Sequence, residues 1–385
     1  MLQPGPTASG SRMTQADMLI ETDALEQVRT IPITPSFQYM RPPRIYDPHL
    51  MPPDVARILR RRWNLSKHVI PPVAFHLARD VYVVEEGLVF TGDGHLVAAS
   101  QADVPAHEIV RARATLQASL AQPASIPSHP RAILCKKRGA GNYGHWLAEM
   151  LPRAYVARQY LPDRDWPVVI HAVEGTLRTV MRESLHAVGI TENRIIESGG
   201  APVHFAELLV PSGLTAHAVF LSPLVMECMD FIADQVPPAD IDALYIPRAP
   251  ATTRDFEDEA AVRTVFEQHG YTTFAGSTVP FMEQVAMFRS ARRVVGAMGA
   301  GLSNTLFCRP ATEVLVFMPG NALELFYWLI AEGRKLDYHE VRTPQSGRMQ
   351  GSLPWDRQLA ITPAEVERML ARLEAGKPAF QLTDF

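Results

Sequence analysis

Cysteine is scarce in this chain, and the three present stand far apart. Cys135, Cys228 and Cys308 form no CxxC pair and are odd in number. Neither a disulfide framework nor a cysteine-based metal site is expected, and a reducing compartment fits best. Long apolar runs are lacking too. None reaches the roughly 18 residues that a membrane-crossing helix requires. The opening residues show neither the charged start nor the apolar centre of a secretion signal. A basic excess is also missing: the formal net charge is -4, which argues against a nucleic-acid binder. Local basic clusters exist, and one of them, Lys136, Lys137 and Arg138, reads as a solvated surface patch. No GxSxG elbow, P-loop or HExxH is present, so hydrolase, kinase-like and metalloprotease chemistry lacks support. The DRD at Asp163 to Asp165 precedes an apolar strand instead of following one, and no metal is assigned to it.

What is present describes a folded, two-domain protein. The chain has 385 residues, 47% hydrophobic and 20% charged, enough for two cores of ordinary size. Residues 1–60 are rich in proline and polar groups and read as an irregular leader. Residues 73–99 have strand-like patterning around the turn at Gly92 to Gly94, which suggests a small antiparallel appendage. Apolar runs then alternate with helical patterns: strands near 131–135, 166–172 and 204–210, with helices near 143–160, 177–188 and 222–235. That alternation predicts crossover units and a parallel sheet. Pro237-Pro238 marks a boundary. The alternation restarts with a strand at 243–248, a helix at 257–269 closed by Gly270, and an apolar face of Phe281, Val285 and Phe288. A strand at 292–297, a helix after Gly301 and a strand at 313–318 complete the series. The expected architecture is α/β with two Rossmann-like halves: an N-terminal domain over 61–237, a C-terminal domain over 238–345, and a tail over 346–385 packing back on the N-terminal half.

The stretch GAMGAGLSN, residues 296–304, sits between a strand and the expected helix. Backbone N–H groups at such a turn form an anion site. The spacing is GxxGxG, not the GxGxxG of a dinucleotide fold, and the next strand ends in Met318-Pro319-Gly320 without the ribose-binding acid. A nicotinamide oxidoreductase is therefore a distant third reading. Elsewhere, His145 and Glu149 lie four apart, with Arg153 four further on, so one helical stripe carries all three beside Trp146. Asn142 stands where it caps that helix. Arg248 and Arg254 follow a strand end, where open α/β sheets bind ligands, and guanidinium groups suit diphosphates. Asp255, Glu257, Asp258 and Glu259 complement a helix N-terminus.

Together, NYGHWLAEMLPR (142–153), YIPRAPATTR (245–254), FMEQVAMFRSA (281–291), VVGAMGAGLSNTLF (294–307) and EVLVFM (313–318) resemble glycosyltransferase family sixty-one, the capsular-polysaccharide type, in order and in spacing. The resemblance covers roughly residues 132–339. It implies a GT-B fold, two halves facing a cleft, and an inverting, metal-independent transfer from a nucleoside-diphosphate sugar to a glycan, polysaccharide or lipid-linked saccharide. By that likeness Arg248 and Arg254 contact the donor diphosphate. Gly299, Ala300, Gly301 and Asn304 lie beneath the phosphates, and Glu283 and Gln284 are the family's EQ pair near the nucleoside. His145 is then the leading base, with Glu149 its orienting partner, and Asn142, Trp146 and Arg153 lie on the acceptor side. No cofactor, metal or nucleic acid is implied. The expected location is the cytoplasm, with peripheral association at the inner membrane face. Two departures stand out: the family's HGAGLTN has Met298 in place of its His, and its N-E pair reads Asp258-Glu259. Met298 motivates the second reading, a non-catalytic relative that binds a glycan or partner. Nucleotide binding separates the two.

Overall fold

The computed structural model describes residues 19–65, 67–101, 104–248 and 253–374. Two sheets organise them. In the first, strands Ser128–Leu134, Val168–His171 and Ile195–Ser198 run parallel and adjacent. The first two are each followed by a segment of helical length, and Val168, Val169 and Ile170 are buried. The helix Gly175–Ala187 covers them with Val180, Met181 and Leu185. This is the crossover arrangement that the alternation of patterns predicts.

The expected antiparallel appendage is corrected. Strand Val203–Ser212 runs parallel to Ser128–Leu134 on one side and antiparallel to the strand Val73–Val84 on the other, from Val203↔Val83 to Ser212↔Ala74. The β-rich stretch is thus the antiparallel half of the first sheet. The physical reason lies in its burial: six consecutive residues, Val73 to Ala78, are all buried, and a strand covered on both faces belongs inside a sheet.

The second sheet is parallel, with Thr272–Thr273, Ala243–Ile246, Arg293–Ala297, Glu313–Pro319 and Asp337–Thr343 in that spatial order. Its far edge is closed by Arg44–Tyr46, parallel to the last strand. The leader is therefore not irregular over its described part. Glu26–Ile31 pairs with the first sheet, Arg44–Tyr46 with the second, and Pro53–Trp63 is a helix burying Val55, Ala56, Leu59 and Trp63. The tail also departs from expectation. The helix Pro363–Glu374 places Val366, Met369 and Leu370 in one apolar cluster with Val262, Val265 and Phe266, against the C-terminal half; residues 375–385 lie outside the described residues. A larger apolar cluster runs through both halves and includes Met181, Val225, Phe288, Leu306 and Ile330.

Candidate active site

The strands of the second sheet end on one side in the segments Pro247-Arg248, Phe274 to Ser277 and Ala297 to Gly301. With Gly141, Tyr143, Thr176, Leu177 and Val180 from the first half, these line a cavity of about 710 Å³, the volume of an ordinary ligand pocket. The glycine turn is shaped by close approach more than by backbone angle. Gly299 is extended (φ -178°), a conformation open to any residue. A Cβ there would stand 2.0 Å from Nη1 of Arg248. The guanidinium thus lies directly over the turn. The segment that follows, Ala300–Phe307, where a helix was expected, is a 3₁₀ helix.

Asn304 and Gln284 are buried beneath the cavity. Tyr143 donates from its hydroxyl to Oδ1 of Asn304 (2.5 Å) and Oε1 of Gln284 (3.2 Å), joining the first half to the second. The Gln284 amide donates to the carbonyls of Gly276 and Val279. Glu283 does not accompany it: the side chain is exposed and lines no part of the cavity, because its position on the helix Phe281–Ser290 faces away from Gln284. The sequence reading missed Tyr143 and Arg263, both of which line the cavity.

Arg248 is mostly buried, and among the described residues Nη2 reaches the Thr253 hydroxyl, at 3.4 Å. Burial lowers its affinity for a proton, and the Arg254 charge lowers it further. Arg254 does not line the cavity; its Nε stands 3.8 Å from Asp356. The Nε atoms of both arginines are buried without a hydrogen-bond partner among the described residues. Two like charges held this close together suit an anion chemically. Of the neighbouring acids, Asp258 caps its helix by accepting from the Ala261 N–H. Glu259 accepts from the N–H groups of Arg248 and Phe256 and from the Tyr245 hydroxyl; burial raises its pKa.

A second cluster stands on the first half. Asn142 caps the helix as expected, accepting from the N–H groups of Gly144 and His145 at 2.8 and 3.4 Å. The backbone then widens into a π turn over Trp146–Met150 before the α-helix Leu151–Tyr160. Glu149, wholly buried, lies 3.2 Å from Nδ1 of His145, 2.8 Å from Nδ1 of His217 and 2.5 Å from Nζ of Lys137. Burial alone would raise the Glu149 pKa, but the two imidazoles and Lys137 outweigh it and hold the carboxyl well below its usual range. For His217, burial works toward a lower pKa, yet the hydrogen bond to Glu149 and its charge raise it. The His145 ring rests on Gly139 (φ +86°), where a Cβ would come within 2.9 Å.

Two acceptor-side assignments are corrected here. Trp146 is fully buried and donates to Ser184 Oγ at 2.9 Å. Arg153 donates to the backbone carbonyls of Glu149 and Leu134. A π turn bonds i to i+5, so positions four apart fall out of line beyond it, and Arg153 leaves the stripe of His145 and Glu149. Lys136 and Lys137, expected at the solvated surface, are buried. They follow a buried strand at its C-terminal end, the one signal that marked them. His217 was missed because it sits between two-residue strands, Thr215–Ala216 and Phe220–Leu221, with no periodic company.

His145, Glu149 and His217 converge closely enough to hold a metal ion. The donor set does not favour one: Lys137 faces one carboxylate oxygen and His217 meets the other through Nδ1, so the carboxylate is already engaged as a hydrogen-bond acceptor. A second such group, Glu313, Asp337 and His339, lies at the opposite ends of the strands and includes the partner of Arg44.

The two clusters meet at the helix Phe326–Arg334. The Phe326 ring stacks on His217 at 5.4 Å, and the next residue, Tyr327, lies within the influence of Arg248, Arg254 and the Gly299 backbone. Met298, at the position of the family His, is buried in the core and outside the cavity lining. The family model described as Glycosyltransferase 61 matches residues 143–315, a span holding His145, Glu149, His217, Arg248, Gln284 and the glycine turn. A search of curated proteins returns no match. The chain carries a glycosyltransferase family 61 domain over residues 143–315 and is a glycosyltransferase.

Proposed function

We propose that the protein transfers a sugar from a nucleoside-diphosphate donor to a hydroxyl of a glycan, polysaccharide or lipid-linked saccharide, with inversion at the anomeric carbon and no resident metal. The product belongs to surface or capsular polysaccharide, and the two halves work as the two domains of a GT-B enzyme. The observation carrying this reading is Arg248: a poorly neutralised guanidinium over the Gly299 turn, in a cavity at the strand ends.

In the reaction the acceptor oxygen attacks the anomeric carbon as the bond to the diphosphate oxygen breaks. The hydroxyl proton passes to a base, and the leaving diphosphate takes the electron pair. Arg248, Arg254 and the N–H groups of the glycine turn stabilise that charge. With Met298 buried, no side chain from that position assists. His145 is the base, at Nε2, because Glu149 orients it through Nδ1. His217, its proton held by Glu149, fixes the carboxylate and completes the cluster. Acceptor binding is assigned to the hollow of about 620 Å³ lined by Glu86, Arg138, Gly139, His171 and Gly200. It shares the loop 138–143 with the donor cavity.

Calorimetric titration with UDP, GDP and ADP, followed by incubation with the matching sugar nucleotides and saccharide acceptors, tests the reading. One diphosphate should bind, and transfer should persist in EDTA. Absence of binding to all three sinks the donor assignment, and loss of transfer in EDTA sinks the metal-free one.

A further inference from the structure

The helix Pro53–Trp63 and the two-stranded ribbon Phe37–Tyr39 with Lys67–Val69 follow one another closely in the chain, and each presents an exposed side. On the helix, Val55, Ala56, Leu59 and Trp63 turn inward, leaving Arg57, Ile58 and Arg61 exposed, with Leu65 just beyond. In the ribbon, Phe37 pairs with Val69 and Tyr39 with Lys67. Directly opposed residues, and residues two apart, point to the same side, so all four share a face. Tyr39 is 69% exposed and Val69 71%, and the Lys67 ammonium lies 4.2 Å from the Phe37 ring centre. Helix and ribbon join where the Arg62 charge reaches the His68 ring.

The charge on this face is one-sided. Arg57, Arg61, Arg62 and Lys67 enter no ion pair among the described residues, in a chain of net charge -4. Asp54 is the one acid on the helix. A soluble surface normally intersperses the two signs. Unpaired cations around exposed aromatic and aliphatic side chains complement a bilayer with anionic headgroups: the cations stay with the phosphates while the apolar groups enter the interface.

The face also lies close to the active site. His68 packs edge-on against Trp328 at 5.6 Å, two residues from Phe326, which stacks on His217. The His68 ring also reaches the backbone of Val219, in the loop that carries His217, and Val219 is itself exposed.

We propose that this face docks the protein on an anionic membrane surface and so holds the His145–His217 cluster beside the bilayer. The proposal stands whichever donor the enzyme uses. The test is co-sedimentation of the full chain with vesicles of phosphatidylcholine alone, or with about one third phosphatidylglycerol. Binding is expected to the anionic vesicles only, and salt should release it. R57E/R61E/R62E should weaken partition at least about tenfold, and Y39S/V69S should weaken it at fixed salt. R292E, an exposed charge elsewhere, should leave it unchanged. The exposed single variants R57E and R61E provide the comparison if the triple variant misfolds. No binding to anionic vesicles at low salt overturns the proposal, as does binding that these variants do not weaken. Equal loss in R292E, or equal binding to neutral vesicles, overturns it too.

Discussion

Nδ1 of His217 lies 2.8 Å from Oε1 of Glu149, although 68 residues separate them in the chain. The other carboxylate oxygen faces Lys137 at 2.5 Å. Both Glu149 and Lys137 are buried, so each charge offsets part of the cost of burying the other. Glu149→Gln should therefore destabilise the fold by about 3–5 kcal/mol, by removing the buried charge that Lys137 and both imidazoles face. K137M/E149Q should lose less stability than the sum of the two single losses. Urea unfolding of the single and double variants measures this, and strictly additive losses would show that the pair is not coupled.

The raised pKa of His217 sets the direction of a pH effect. Burial opposes the charge on the ring, but the hydrogen bond to Glu149 and its charge more than compensate. A group whose folded pKa lies above its unfolded value stabilises fully below the unfolded value, near 6.5 for imidazole. That contribution is lost as pH rises through the folded pKa. Thermal midpoints of the wild type and of His217→Gln should thus lie furthest apart in mild acid and converge as the pH rises. A gap independent of pH would rule out a protonated His217 in the fold.

The C-terminal half was legible because its signals are local. Ala243–Ile246, Arg293–Ala297 and Glu313–Pro319 are apolar runs long enough to read, and Gly270 closes its helix with φ +78°. Arg44–Tyr46 was not legible, since three residues carry no period and their burial is decided by a partner strand nearly 300 residues away. Val73–Val84 read as strand, yet its place within the first sheet depends on Val203–Ser212. In the site, His145, Glu149, Arg248 and the glycine turn stood in motifs. Lys137 and His217 converge on Glu149 through tertiary packing, which no local pattern announces. Arg153 misled because the π turn breaks the four-residue spacing that placed it on the stripe of His145 and Glu149, and Trp146 because its ring turns into the core.

Gly299 offers a way to move Arg248 without touching it. Its backbone is extended, so alanine brings no strain at that residue, but the new Cβ would meet Nη1 of Arg248 at 2.0 Å. The guanidinium is the free end of a flexible side chain and can swing aside, so the fold should persist. Gly299→Ala should then weaken nucleoside-diphosphate binding about tenfold or more, the worth of one charge-assisted hydrogen bond. Calorimetry checks the affinity and circular dichroism the fold. Unchanged affinity would mean that Arg248 does not hold the diphosphate.

Lys136 gives a prediction of opposite sign to that for His217. Its ammonium is fully buried and donates to Ser198 Oγ and to the carbonyls of Ser198 and Gly199, all within 3.1 Å. Burial brings its pKa down to about 7, against the opposing pull of Glu86 and Glu85. Between that value and the ordinary lysine pKa near 10.4, the unfolded chain carries a proton that the folded chain has released. Stability attributable to this residue must then rise with pH across that window, by at most about 1.4 kcal/mol per unit. Below it both states are protonated and the full cost of burying the charge is present. Lys136→Met removes the titration while keeping the length of the side chain. Relative to that variant, the wild type should gain stability steadily as the pH is raised from neutral toward 10. Urea midpoints at successive pH values measure the difference, and parallel curves would show that Lys136 keeps its proton in the fold.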